Sequence, residues 1–235
     1  MIPLRDVNPS RGTPLVNYIL ITLCVGAFLY ELSLGKELQR FLFLYGLVPA
    51  RYCSVEFRSH FTAVEQAIPF LTSMFLHGGW LHLIGNMWVL HIFGDNVEGE
   101  LGHLYYLLFY ACSGFCAALI QVVTDPASTI PTIGASGAVA GVMGAYFILY
   151  PQARILTLIP LLFFFTIIEV PAYVFLGFWF LMQFFNGTLS LLAYGRGFSG
   201  IAWWAHIGGF LGGMVLLRLF RKRRPLPRYP GETDW

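Results

Sequence analysis

Long apolar runs almost free of charge, set between short clusters of charged, glycine and proline residues, dictate what this chain can fold into. Of 235 residues 57% are hydrophobic and only 11% are charged. A soluble domain of this size has no use for so much apolar surface, whereas runs near about 20 residues span the hydrocarbon core of a bilayer. Six such spans can be drawn, at 14–30, 80–97, 104–123, 133–150, 155–185 and 201–220. The fifth is rich in aromatics, contains Pro160 and Pro171, and has Glu169 as its only carboxylate. The expectation is an all-α membrane protein.

Three parts follow: a cytoplasmic N-terminal segment (1–13), a six-helix membrane domain (14–220) and a basic, proline-bearing cytoplasmic tail (221–235) that reads as disordered. The polar start leads into a full-length span, which argues against a cleaved secretory signal. With both termini in the cytoplasm, nine lysines and arginines fall inside and five outside, Lys36, Arg40, Arg51, Arg58 and Arg196, as the positive-inside rule asks. The run Arg221-Lys222-Arg223-Arg224 decides most of that balance. It reads as a headgroup-facing anchor, so nucleic acid is not an expected partner. The expected location is a bacterial inner membrane. The segment 31–72, amphipathic over 38–47, is expected to lie in the outer interface. Cys24, Cys112 and Cys116 fall within spans and Cys53 has no evident partner, so no structural disulfide is indicated.

Spans two, four and six descend from the outer face, and His82, Ser136 and His206 each lie near the start of one of them. At a rise of about 1.5 Å per residue all three sit at comparable depth. Serine is a weak nucleophile without a neighbouring base, for which neutral histidine serves. Ser136 is followed by Gly137, Gly141 and Ala145, and His206 by Gly209 and Gly213. Such four-residue small-residue faces let helix backbones approach closely in lipid. His82 and Asn86, four apart, share a helix face, and with the Ser136 amide near a helix start they are candidate donors for an oxyanion. No Asp or Glu is placed to orient His206, so the pattern is a dyad.

These residues resemble the rhomboid family of intramembrane serine proteases. The likeness is carried by Gly134-Ala135-Ser136-Gly137, by His77 and His82 followed by Asn86, and by Ala205-His206 with Gly209 and Gly213, from about Thr72 to Gly213. It implies a six-transmembrane-helix bundle in which Ser136 is the nucleophile and His206 the base, with an oxyanion hole of His82, Asn86 and Ser136. Gly134, Gly137, His77 and Gly209 would support them. The implied reaction is cleavage of transmembrane or membrane-proximal segments of other membrane proteins, reached laterally beside the fifth span, through an acyl-enzyme and without a cofactor or metal. Two positions depart from patterns found in some members. Ile68-Pro69 stand where a Trp-Arg pair is found, and Ala140 where a tyrosine stacks on the histidine. Some other group must then hold the His206 ring.

Each residue also has a plainer reading: Gly134 to Gly137 as a packing motif, His206 as a bundle histidine or proton relay, and His77 as a loop stabiliser. Glu98 is expected to anchor the cytoplasmic end of the second span, His91 and His103 to be structural, and Glu169 to be a protonated or hydrogen-bonded residue within the fifth. A metalloprotease would need His-Glu-x-x-His spacing, and an aspartyl protease two buried aspartates; neither is present in the sequence. A silent rhomboid-like binder of membrane clients would be expected to lack Ser136 or His206. A small transporter would be expected to show half-repeats.

Overall fold

The computed structural model describes residues 1–10, 12–161, 164–192 and 201–221. Its helices are α1 (Leu15–Ser33), α2 (Leu38–Tyr45), α3 (Ala50–Cys53), α4 (Val55–Arg58), α5 (Ala63–Thr72), α6 (Trp80–Leu101), α7 (His103–Thr124), α8 (Ser136–Leu149), α9 (Ala172–Leu192) and α10 (Trp203–Phe220). Its strands are β1 (Ile2–Asp6), β2 (Arg154–Leu161) and β3 (Phe164–Pro171). Arg196 and residues 222–235, which make up all of the tail expected to be disordered except Arg221, lie outside the described residues.

Among the described residues four helices, α1, α7, α9 and α10, are long and apolar enough to cross a bilayer. A fifth span is possible if α5 and α6, with the turn Ser73–Phe75 after α5, count as one span bent by 80°. The chain is thus a mostly helical integral membrane protein. Helix α8 is apolar but has only 14 residues, about 21 Å at 1.5 Å per residue, short of the roughly 30 Å core. Its residues from Gly137 to Tyr146 are all buried, which makes it the centre of the bundle, walled by α6, α7 and α10.

The all-α expectation is corrected by a three-stranded antiparallel sheet of order β1-β2-β3. Ile2 pairs with Leu158 and Asp6 with Ile155, while β2 and β3 form a hairpin from Arg154↔Pro171 to Leu161↔Phe164. The span drawn at 155–185 is corrected with it, since the membrane helix begins only at Ala172. Local chemistry explains the difference. Isoleucine, threonine and phenylalanine favour strand, Pro160 lacks an amide donor, and Pro171 drives Val170 from helical conformation. Burial alternates with period two, Ile155 and Thr157 being fully buried and Leu156 and Leu158 only partly. Glu169 is exposed on β3 opposite Leu156, not inside a span.

Buried polar contacts fix the end of the bundle remote from Ser136. The Glu98 carboxylate accepts the Val16 and Asn17 amides at 2.9 and 2.8 Å, satisfying donors that the first turn of α1 cannot pair internally. Asn17 donates to the Leu90 carbonyl at 3.1 Å and accepts from Tyr106 at 2.7 Å. His103 Nδ1 lies 2.5 Å from Glu98, and the His91 ring stacks on Tyr18. Strand β1 joins the bundle through Asp6, which accepts from Tyr146 at 2.6 Å and Asn96 at 3.0 Å, and through the Pro3 carbonyl, which accepts from Trp88 at 2.6 Å.

At the opposite end, α2 to α5 form the segment expected to be interfacial. Arg51, completely buried, donates to the carbonyls of Phe43, Leu44 and Glu65, each at 3.1 Å. The first two are end-of-helix carbonyls that α2 leaves unpaired. A capping box of Thr62 and Glu65 starts α5.

Candidate active site

Ser136 opens α8, and the two residues before it set its position. Gly134 adopts φ +124°, a conformation side chains rarely take, and its amide donates to the Ser73 carbonyl at 2.9 Å. A Cβ on Gly134 would stand 2.7 Å from His82 Nε2, so only glycine lets this backbone reach the imidazole. His206 lies in the first turn of α10, whose axis can come so near α8 because glycines meet at the crossing. A Cβ on Gly209 would run into the Gly137 carbonyl, and one on Gly213 into that of Gly141. As a result His206 Nε2 and Ser136 Oγ, 70 residues apart in sequence, stand 2.8 Å from one another.

The donor side of the site is built by α6 and the loop before it. The Gly78 amide donates to His82 Nδ1 at 3.3 Å. That nitrogen is then the acceptor of a neutral ring, and Nε2 carries the proton. Asn86 is one turn on, buried, its Nδ2 donating to the His82 carbonyl at 2.9 Å. The loop is held in turn by Glu31 at the end of α1, whose carboxylate oxygens lie 3.1 and 3.3 Å from the His77 amide that donates to them. His77 is only 2% exposed. Its Nδ1 lies 3.1 Å from the Phe75 carbonyl and its ring packs edge-on against His82 at 5.2 Å. His77 therefore shapes the loop above the pair rather than lining the cavity.

A cavity of about 620 Å³ opens over Ser136 and His206, bounded by His82 and Asn86 on one wall and Trp179 on the other, with Met143 two turns down α8. Its walls are mostly apolar, with the polar groups gathered near Ser136, the general form of a substrate cleft. Ser136, His206, His82, Asn86, Gly134 and Gly137 thus converge, with Gly209 at the helix crossing behind them. Among the described residues no group of three or more His, Cys, Asp or Glu could hold a metal ion. All four cysteines are free.

Three residues around the site were not foreseen. Gln183 on α9 places Oε1 2.8 Å from His206 Nδ1. Trp179, one turn earlier, lies 5.9 Å from the His206 ring at an interplanar angle of 37°. Glu31 carries the His77 loop. Gln183 and Trp179 are four apart, and a polar residue one turn from a tryptophan in an apolar helix was the available signal. Reading 155–185 as one span obscured which face of that helix turns inward.

A half-buried serine–histidine pair inside an integral membrane bundle is what the geometry gives, and comparison with known proteins defines the family. The family model for the Rhomboid domain matches residues 64–223. The chain belongs to the rhomboid family. It is 34% identical over 146 residues to RHOMBOID-like protein 6, mitochondrial, of Arabidopsis thaliana, covering 62% of this chain and 41% of that one. It is 37% identical over 76 residues to the putative rhomboid protease YdcA of Bacillus subtilis, covering 32% and 38%. Over 192 residues, 77% of this chain and 47% of the other, it is 28% identical to Presenilin-associated rhomboid-like protein A, mitochondrial, of Danio rerio. The matched part is less than half the length of each of these relatives.

Proposed function

We propose that this protein is an intramembrane serine endopeptidase that cleaves transmembrane or membrane-proximal segments of other membrane proteins. The observation that carries the proposal is the 2.8 Å approach of Ser136 Oγ to His206 Nε2 at the floor of a largely apolar cavity. Membership of the rhomboid family supports the same reaction class.

Ser136 Oγ attacks the scissile carbonyl carbon while its proton passes to His206 Nε2. The carbonyl oxygen, now an oxyanion, takes hydrogen bonds from His82 Nε2–H, the free Nδ2–H of Asn86 and the Ser136 amide. Donors fixed in advance are worth several kcal/mol in a site shielded from water. Collapse of the intermediate breaks the C–N bond, the imidazolium gives its proton to the leaving amine, and an acyl-Ser136 ester remains. Water, deprotonated by His206, then hydrolyses the ester and restores the serine. No step calls for a cofactor or a metal.

In this reading the six membrane segments are α1, the bent α5–α6 unit, α7, α8, α9 and α10. Both termini face the cytoplasm of a bacterial inner membrane and Ser136 lies toward the outer face. Clients enter laterally between α6 and α9, the helices that supply His82 and Trp179 to the two sides of the cavity. Incubating purified protein in liposomes with a single-span reporter tests the proposal. The intact chain cleaves it, whereas Ser136→Ala and His206→Ala, folded to the same melting temperature, do not. Equal cleavage by Ser136→Ala rules the mechanism out, and reporter binding without cleavage by the intact chain points instead to a silent membrane-client binder.

A further inference from the structure

A serine–histidine pair works only if the imidazole presents the right nitrogen. For Nε2 to accept the Ser136 proton it must be bare, which puts the ring hydrogen of neutral His206 on Nδ1 and requires an acceptor there. The one group at hydrogen-bond distance from Nδ1 among the described residues is Gln183 Oε1, at 2.8 Å.

An amide could also present its NH2 end, which would force the opposite tautomer and point Nε2–H at Ser136. Gln183 is held against that flip. Its Nε2 donates to the Trp179 carbonyl at 3.4 Å, one turn back on α9, so Oε1 is the end left for His206. The side chain is 6% exposed, leaving little solvent to compensate a reversed amide. The polar chain therefore runs in one direction: Ser136 hydroxyl to His206 Nε2, His206 Nδ1–H to Gln183 Oε1, and Gln183 NH2 to the Trp179 carbonyl. Trp179 and Trp203 pack on the ring, the latter edge-on at 6.3 Å. Ala140, one turn below Ser136, offers only a methyl group.

We infer that Gln183 is a positioning residue that fixes the tautomer and orientation of His206 and so makes this site a neutral-acceptor triad, Ser136–His206–Gln183. The inference rests on the protease reading above. A neutral amide stabilises the imidazolium less than a carboxylate does, so removing it is expected to cost less than the roughly 10⁴-fold seen when a triad carboxylate is replaced. About ten- to a hundredfold is the scale found when the partner that fixes the tautomer of a metal-bound histidine is removed, and the same orienting role sets the scale for Gln183.

The test compares Gln183→Met and Gln183→Glu with the intact chain in liposomes. Gln183→Met keeps the volume and removes the acceptor. It is expected to lower kcat about ten- to a hundredfold with little change in KM. Gln183→Glu keeps an acceptor and is expected to retain most activity while the acid limb of its pH–rate profile moves to higher pH, because a carboxylate favours the protonated ring. His82 is the other titratable side chain lining this cavity, so both profiles are repeated in His82→Gln to assign the limb. A Gln183→Met protein with unchanged kcat, or a Gln183→Glu profile that does not move, overturns the inference. Selective ¹⁵N-histidine NMR, assigned by difference with His206→Asn, keeps the inference separable from the protease reading. If the intact chain cleaves nothing, His206 protonated on Nδ1 and a mixed tautomer in Gln183→Met still support the positioning role. The same mixture in the intact chain sinks it.

Discussion

One hydrogen bond joins Gly78 to His82, the backbone amide of the first donating to Nδ1 of the second at 3.3 Å, and it leaves Nε2–H as the end of the imidazole that meets Gly134. The proton on this nitrogen is therefore fixed by the loop before α6. Glu31 carries that loop through the neighbouring His77 amide.

Replacing His82 with alanine is expected to lower kcat about 10²- to 10³-fold, the effect of losing one preorganised oxyanion donor, with KM changed little. Steady-state cleavage of the single-span reporter measures both. A change in KM alone would mean that His82 contributes to client binding and not to the transition state.

The α8–α10 crossing is expected to be equally sensitive for a steric reason. Any side chain at Gly209 strikes the Gly137 carbonyl, and overpacking of this kind costs about 1–3 kcal/mol. A displacement of about 1 Å between reacting groups can cost about a hundredfold in rate. Gly209→Val should therefore lower the melting temperature in detergent and lose cleavage even where it stays folded. Full activity at an unchanged melting temperature would show that the helices are free to move apart.

Much of this site was legible because its sequence signals are local. Small residues four apart on Gly137–Gly141 and Gly209–Gly213 mark faces that approach closely, and a serine and a histidine heading those faces meet when the faces do. Glu98 was legible only in part: its place at the end of an apolar run suggested an anchor for that span, but its partners are the first amides of α1, which the sequence does not indicate. The sheet was not. From Ile155 to Ile168 both strand faces are apolar, so the alternation that identifies a strand is missing. Only Pro160 and Pro171 hinted that the run is not a helix. Gln183 escaped because its role depends on how α9 is rotated about its axis, which the helix's nearly uniform apolar surface does not encode.

Strand β1 supplies a pH-dependent attachment outside the membrane-spanning helices. Asp6 is pushed up to about 6, chiefly by burial and further by the nearby Asp95, with the Tyr146 hydroxyl bond opposing the rise. The folded chain then holds this proton over a range in which the unfolded chain has lost it. The stabilisation is full below about pH 4, declines as pH rises to about 6, and is flat above. Asp6→Asn should remove that decline, worth on the order of 1 kcal/mol once partial exposure is allowed for. Melting temperatures at pH 4 and pH 7 check it, and an unaltered slope in the variant would assign the decline to another group.

Covalent capture at Ser136 tests the central claim most directly. Treating the intact protein in liposomes with a membrane-permeant fluorophosphonate and mapping the adduct by mass spectrometry should place one phosphonyl group on Ser136. Labelling should disappear in Ser136→Ala and be strongly slowed in His206→Ala. An unlabelled but folded chain, or labelling that proceeds as fast without His206, would contradict the account.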